Sequence, residues 1–218
     1  MKSWFKKIIY SDDIVGALGI FLFLLILFFS LMTPHFFSTI NFYSIIGNLP
    51  AMAILCLGLT FVVLVGDLDL SLGSILGITA VLAVFFFKVM GFPLWLNLLS
   101  CVFIGGCFGA LNGIIVTKIG INSIITTLGT MALIRGLTYW IAMDVEAMEV
   151  GRITDPAFLN FGRYYFPEKY RLIPITLVYI IVLYGISALF LNHTSFGRQI
   201  YAVGSNEATA RLAGINVK

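Results

Sequence analysis

Along this chain the apolar residues come in long runs, and the polar ones are confined mostly to short breaks between them. Six runs approach the roughly 20 residues that carry a helix across a bilayer. They are Ile14 to Met32, Ile45 to Val65, Leu72 to Met90, Leu94 to Thr117, Ile121 to Met143 and Leu172 to Leu191. The pattern predicts an all-α, polytopic membrane protein of about six transmembrane helices, forming a single membrane domain over residues 1–218. The first run follows Lys2, Lys6 and Lys7, as a signal peptide would. It stays bulky to its end at Phe28-Phe29-Ser30-Leu31-Met32 and has no small-x-small cleavage site, so it reads as a retained span.

Composition agrees. The chain is 60% hydrophobic and 11% charged, where soluble domains carry about 25% charged residues, and its mean hydropathy is +1.05. A net charge of +3 is too small to argue for nucleic acid. Cys56, Cys101 and Cys107 all fall inside apolar runs and read as small buried hydrophobes. His35 and His193 stand apart, with no His/Glu or Cys cluster, so neither a metal site nor a cofactor is expected. No Gly-x-Ser-x-Gly or His-Glu-x-x-His motif suggests an intramembrane enzyme, and no catalytic residue is assigned.

Lys and Arg set the topology. The amino terminus, Lys118 and the tail bearing Arg198, Arg211 and Lys218 would share one side, and the opposite short loops hold only Lys88. Basic residues collect on the cytoplasmic side, which places both termini there. The loop from Asp144 to Arg171 holds Arg152, Arg163, Lys169 and Arg171, balanced by Asp144, Glu146, Glu149, Asp155 and Glu168, and is placed outside. Its aromatics Phe158, Phe161, Tyr164, Tyr165, Phe166 and Tyr170 fit either a belt at the membrane surface or a protein-docking surface. Phe161-Gly162 and Pro167 are expected to set turns there.

Some charges fall where charge is expensive. Between the second and third runs lies Gly66-Asp-Leu-Asp-Leu-Ser-Leu-Gly-Ser74, so Asp67 and Asp69 are expected near or inside the membrane boundary. A carboxylate at depth costs about 2.5–3.5 kcal/mol on insertion scales and so faces protein or a wet cavity. Two readings follow: a tight turn in which Asp69 or Ser71 caps the next helix, or a broken helix lining a translocation path. Arg135 lies inside the fifth run and needs a partner; Asp69, a helix-end carbonyl, the outer interface beside Tyr139 and Trp140, or direct contact with a substrate in the translocation path are the options. Asn122 and Thr126 are further polar candidates for the path. Gly105, Gly109 and Gly113 recur every fourth position, which favours close helix packing, and Asn112 beside them can hydrogen-bond across that interface.

The tail from His193 to Val217 is polar and punctuated by glycine. Glu207, Arg211 and Ala208, Ala210 and Ala213 fit one short helix, bracketed by Gly204 and Gly214. It reads either as a solvated loop or as a helix that enters a groove on a soluble partner.

Taken together, three stretches resemble the permease subunits of bacterial ABC importers for ribose and related sugars. Gly66 to Ser74 resembles that family's Gly-Gly-Ile-Asp-Leu-Ser-Val-Gly-Ser loop, with Asp67 where glycine is usual. Thr127-Leu-Gly-Thr-Met131 with Arg135-Gly136 is similar to its central signature, and Phe196 to Glu207 with Ala210 to Ile215 to its ATPase-contacting segment. The resemblance implies a bacterial inner-membrane permease subunit that forms the translocation path and hydrolyses nothing itself. It also implies an ABC ATPase, an extracytoplasmic sugar-binding protein and a second permease subunit, identical or not, as partners within the lipid. It implies ATPase coupling through Gly204, Asn206, Glu207, Arg211 and Gly214, and that residues 1–218 are the N-terminal part of a longer family fold. The alternative is an ion-coupled secondary transporter or channel, in which Asp67, Asp69 and Arg135 would handle ions.

Overall fold

The structure is a computed structural model that describes residues 14–147, 153–163, 165–166 and 173–217. The chain forms two compact units, Met1–Leu49 and Pro50–Lys218. Its helices are α1 (Ile14–Met32), α2 (Thr39–Leu64), α3 (Leu72–Lys88), α4 (Leu94–Ile114), α5 (Ser123–Ala147), α6 (Pro156–Arg163), α7 (Ile175–His193), α8 (Ser195–Ser205) and α9 (Glu207–Leu212). A π-helical turn, Ile115–Ile119, continues α4, and Tyr165–Phe166 (β1) pairs antiparallel with Ile173–Pro174 (β2). The protein is thus an all-α polytopic membrane protein. Among the described residues four helices are long and apolar enough to cross a membrane, and the two shorter apolar helices are Gly16–Met32 and Leu72–Lys88.

In the first unit, α1 is apolar on all sides. The turn after it is closed by the Asn41 side-chain amide, which donates to the Phe36 carbonyl at 2.7 Å. Ser38 accepts from the Asn41 amide and starts α2 six residues before the expected Ile45. That first turn and a half mixes Thr39, Asn41 and Ser44 with apolar residues, so hydropathy alone missed it. Pro50 lies inside α2.

In the second unit α3 packs against α4 and α5, most extensively along α5. Its interior is polar where a soluble core would be apolar. Ser71, Ser74, Asn97, Asn112, Ser123, Thr126 and Thr127 are buried, whereas among the apolar residues Ile78, Ile134 and Ala210 are. In lipid the apolar side chains have no reason to turn inward, and the polar groups do. Two asparagines fasten α4 to α3 at opposite ends: Asn97 donates to the Ala83 carbonyl at 2.9 Å, and Asn112 to Ser71 Oγ at 2.9 Å. Tyr184 of α7 donates to the Ala53 carbonyl of α2, and Phe61 meets Phe190 at 6.2 Å.

Three local expectations change. The glycine row of α4 is not one packed face. A side chain at Gly105 would meet Ile75, whereas Gly109 and Gly113 have open space beside them. Cys56 and Cys107 are exposed on the isolated chain, not buried, because apolar positions here can face lipid. Phe161-Gly162 makes no turn but continues α6, which Asp155 starts by accepting from the Ala157 and Phe158 amides. Phe158 and Phe161 pack on Phe87 and Tyr179 at 5.1 and 5.3 Å, so this part of the long loop folds back onto the span ends. Arg152, Tyr164, Pro167, Lys169, Tyr170 and Arg171 lie outside the described residues.

After α7 the chain turns sharply into α8. Thr194 caps it by accepting from the Gly197 amide at 3.1 Å. Gly197 lies against the Leu191 carbonyl and Gly204 against the Leu64 carbonyl, where no Cβ would fit. The two glycines are seven residues apart and therefore share a helix face.

Gly204→Ala should accordingly lower the melting temperature in detergent, at a cost of about 1–3 kcal/mol for overpacking against backbone. Gly58→Ala, whose Cβ meets nothing, should be neutral or stabilising, since glycine inside a helix costs about 0.5–1 kcal/mol against alanine. Thermal melts of both variants in one detergent check the contrast.

Candidate functional site

The break between α2 and α3 is built by a glycine and repaired by side chains. Gly66 has φ 93°, which an L side chain rarely adopts. Its amide donates to the Val63 carbonyl at 3.0 Å and the Asp67 amide to the Val62 carbonyl at 3.2 Å. This pair of bonds is a Schellman motif that satisfies the last carbonyls of α2.

The irregular residues that follow are tied to their neighbours. Asp69 Oδ1 accepts from both the amide (2.7 Å) and the hydroxyl (2.6 Å) of Ser71. The Ser71 oxygen in turn accepts from Asn112 of α4. The Leu68 amide reaches Ser123 Oγ at the start of α5, a long bond of 3.5 Å. Ser71 occupies the N-cap position of α3, yet its side chain does not cap. The carboxylate has captured the hydroxyl, leaving its oxygen free for Asn112. Asp69 thus orders the entry to α3 from two residues upstream, and its charge suits a helix amino end.

Behind this turn Ser74 Oγ, Asn112 Oδ1 and Thr126 Oγ1 are buried and lack a hydrogen-bond partner among the described residues. They lie on α3, α4 and α5, one turn or less from groups already in the network. The arrangement is a polar seam with unused acceptors and donors inside an apolar bundle.

On the tail side of the break a cleft of about 690 Å³ brings together elements far apart in sequence. It is lined by Gly66 and Asp67 of the break, Gly120 to Ser123 of the α4–α5 turn, and Gln199, Val203 and Glu207 of the tail. Of the residues singled out from sequence, Asp67, Asn122 and Glu207 meet here. Asn122 Oδ1 accepts from the Ile124 amide and so also orders the start of α5. Asp69 and Ser71 sit in the network beside it, and Thr126 in the seam. Arg135 is elsewhere. It is exposed on α5 and has no ion-pair partner among the described residues, and the Asp69 carboxylate is engaged by Ser71.

The tail differs from a single helix. Asn206 separates α8 from α9 and caps α9 by accepting from the Thr209 amide at 3.0 Å. Gly214, φ 80°, ends α9 with a second Schellman pair, from Gly214 to Arg211 and Ile215 to Ala210. Gly204 does not bracket this helix. It lies within α8 as the point of close approach to α2, a role that only the tertiary structure reveals. Glu207 and Arg211 form an exposed i,i+4 ion pair at 2.8 Å, beside Leu212, which is 90% exposed, while Ala210 faces inward. Exposed pairs of this kind contribute about 0.3–0.5 kcal/mol, so the pair shapes an outer surface more than it holds the fold. The expected bond of Asn112 across the helix interface is made, to Ser71, whereas sequence reading overlooked Ser123 and Gly197. The available signal was that a polar side chain inside an apolar run must find a partner.

Residues 41–218 match the family described as branched-chain amino acid transport system / permease component. The chain belongs to that family. The ribose import permease protein of Haemophilus influenzae is 34% identical over 198 residues, covering 90% of this chain and 59% of the relative. The D-allose transport system permease protein of Escherichia coli is 30% identical over 206 residues (94% and 61%), and its L-arabinose counterpart 33% over 190 residues (86% and 55%). The chain spans about three fifths of the length of these curated relatives. No solved structure matches it significantly. The break, the cleft and the α8–α9 tail all lie within the part matched to the permease component family.

Asp69→Asn keeps an oxygen that accepts from Ser71 and should cost less than about 1 kcal/mol, whereas Asp69→Leu strands the buried Ser71 donors at about 1–3 kcal/mol. Detergent melts of the two variants should separate by several degrees; equal losses would contradict the Asp69–Ser71–Asn112 account.

Proposed function

We propose that this chain is the membrane permease part of an ATP-driven importer for a ribose-like monosaccharide. In this reading both termini are cytoplasmic, in a bacterial inner membrane. An ABC ATPase binds the outer surface of α8 and α9, and a sugar-binding protein delivers the ligand on the far side. The chain itself hydrolyses nothing. The single observation that carries the reading is the cleft lined jointly by Glu207 of the tail, Asp67 just after α2 and Asn122 just before α5. A displacement of the tail reaches the helix break directly there, as ATP-dependent gating requires. The unpartnered polar atoms of Ser74, Asn112 and Thr126 support a hydroxyl-rich cargo passing along that seam. Ribose, allose and arabinose are the cargoes named for the relatives, which supports the sugar class.

The test is uptake of labelled D-ribose by proteoliposomes that hold the chain with an ABC ATPase and a sugar-binding protein from a bacterial ribose importer. ATP-dependent accumulation is expected. Uptake that follows an ion gradient without ATP would establish the secondary transporter instead. Replacing Glu207 and Arg211 together by alanine should reduce ATPase association and ribose uptake, with the melting temperature unchanged, because both side chains are exposed. Normal pull-down of the ATPase with normal stimulated hydrolysis would remove these two residues from the interface.

A further inference from the structure

The last turn of α2 has a carbonyl to spare. The Gly66 and Asp67 amides take the Val63 and Val62 carbonyls, and the Leu68 amide turns to Ser123. Among the described residues no backbone amide donates to the Leu64 carbonyl. What meets that oxygen instead is Gly204 of α8. A Cβ on Gly204 would overlap it, and would stand 2.9 Å from the Leu64 carbonyl carbon and 3.5 Å from the Val65 Cα. In glycine a hydrogen takes that direction, so the Gly204 Cα–H points at the spare oxygen as a weak donor.

This junction joins the tail to the helix break by a short route. Leu64 is the last residue of α2, just ahead of Gly66. Gly204 is one turn ahead of Glu207, and the joint between them is bonded. The Asn206 amide donates to the Ala202 carbonyl at 3.2 Å, and its side chain caps α9. Elsewhere α8 packs on α7 and α9 more than on α2, and Gly197 seats it on Leu191 of α7. Lifting α8 off Leu64 therefore leaves the tail attached to α7. It also leaves α2 attached to α7, through Tyr184 and the Phe61–Phe190 contact. The tie that is lost is the one at the residue where α2 ends.

We propose that Gly204 is a positioning residue: the seat of its Cα on the Leu64 carbonyl orders residues 65–70 and passes a displacement of α9 to them. It acts through that carbonyl and not on a cargo. Its part in coupling rests on the importer reading above, whereas its effect on the break does not.

Amide hydrogen exchange of the 218-residue chain in detergent tests the seat, read by mass spectrometry on a peptide from Val62 to Leu70. Gly204→Ala should speed exchange there about fivefold or more, the factor that the lower end of overpacking strain gives. Gly58→Ala lies on the same helix with open space beside it and should leave the peptide unchanged. Equal exchange at the break in the two variants overturns the proposal. So does a rise in Gly204→Ala spread evenly over all helices, which marks a general loss of stability. On the unsubstituted chain, where no variant has to fold, binding of the ribose-importer ATPase should slow exchange of the same peptide; an unchanged peptide overturns the proposal. In the proteoliposomes Gly204→Ala should keep ATPase capture and stimulated hydrolysis while losing most of its ribose uptake per ATP hydrolysed. A proportional fall of hydrolysis and uptake overturns the coupling role. Absence of ATP-driven uptake by the unsubstituted chain would overturn the importer reading, and the exchange contrast between Gly204→Ala and Gly58→Ala would still decide the seat.

Discussion

A backbone that leaves one apolar helix and starts the next within a few residues frees polar groups that need partners, and the second unit of this protein is organised around one such stop. The chain leaves α2 at Gly66 and re-enters a helix at Leu72. Each orphaned group in between has to find a protein partner. The Schellman bonds at Gly66 close the first helix, Asp69 orders the second, and Asn112 and Ser123 bring α4 and α5 to the repair. The three-helix arrangement of α3, α4 and α5 is therefore a requirement of the break as much as of packing. The buried polar residues of the unit gather on the helices that surround it.

The same logic explains how far the sequence could be read. Six apolar runs placed six helices to within a few residues at most ends, because length and hydropathy are what the bilayer selects. Gly66 and Gly214 were legible as terminators, since a positive φ is a local demand. Gly204 was not, because its constraint is the Leu64 carbonyl, 140 positions away in the chain, and no local pattern encodes it. The role of Ser71 was half legible. Its position at the head of α3 followed from the pattern, but the direction of its hydroxyl depended on Asp69 and Asn112 together. Arg135 was visible as a misplaced charge, while its orientation was hidden. In a helix apolar on every side, hydrophobic periodicity does not report which face meets protein.

The polar groups of the second unit matter by position more than by the chemistry of any single one. The described residues hold no cluster of His, Cys, Asp or Glu arranged to hold a metal ion. What they hold is an interrupted helix, a seam of hydroxyls and amides with spare hydrogen-bonding capacity, and a surface tail whose base touches the interruption. The interrupted helix, the polar seam and the surface tail are thereby parts of one bonded assembly.

The seating of α8 sets how that handle moves. Gly197 rests on the last turn of α7 and Gly204 on the last turn of α2, so α8 is a crossbar fixed to two posts. A bar held at one point swings freely; a bar held at two transmits force to both and cannot swivel between them. Pressure applied at Glu207 or Arg211 is thus divided between α2 and α7. These two helices are already tied to each other by Tyr184 and by the Phe61–Phe190 contact.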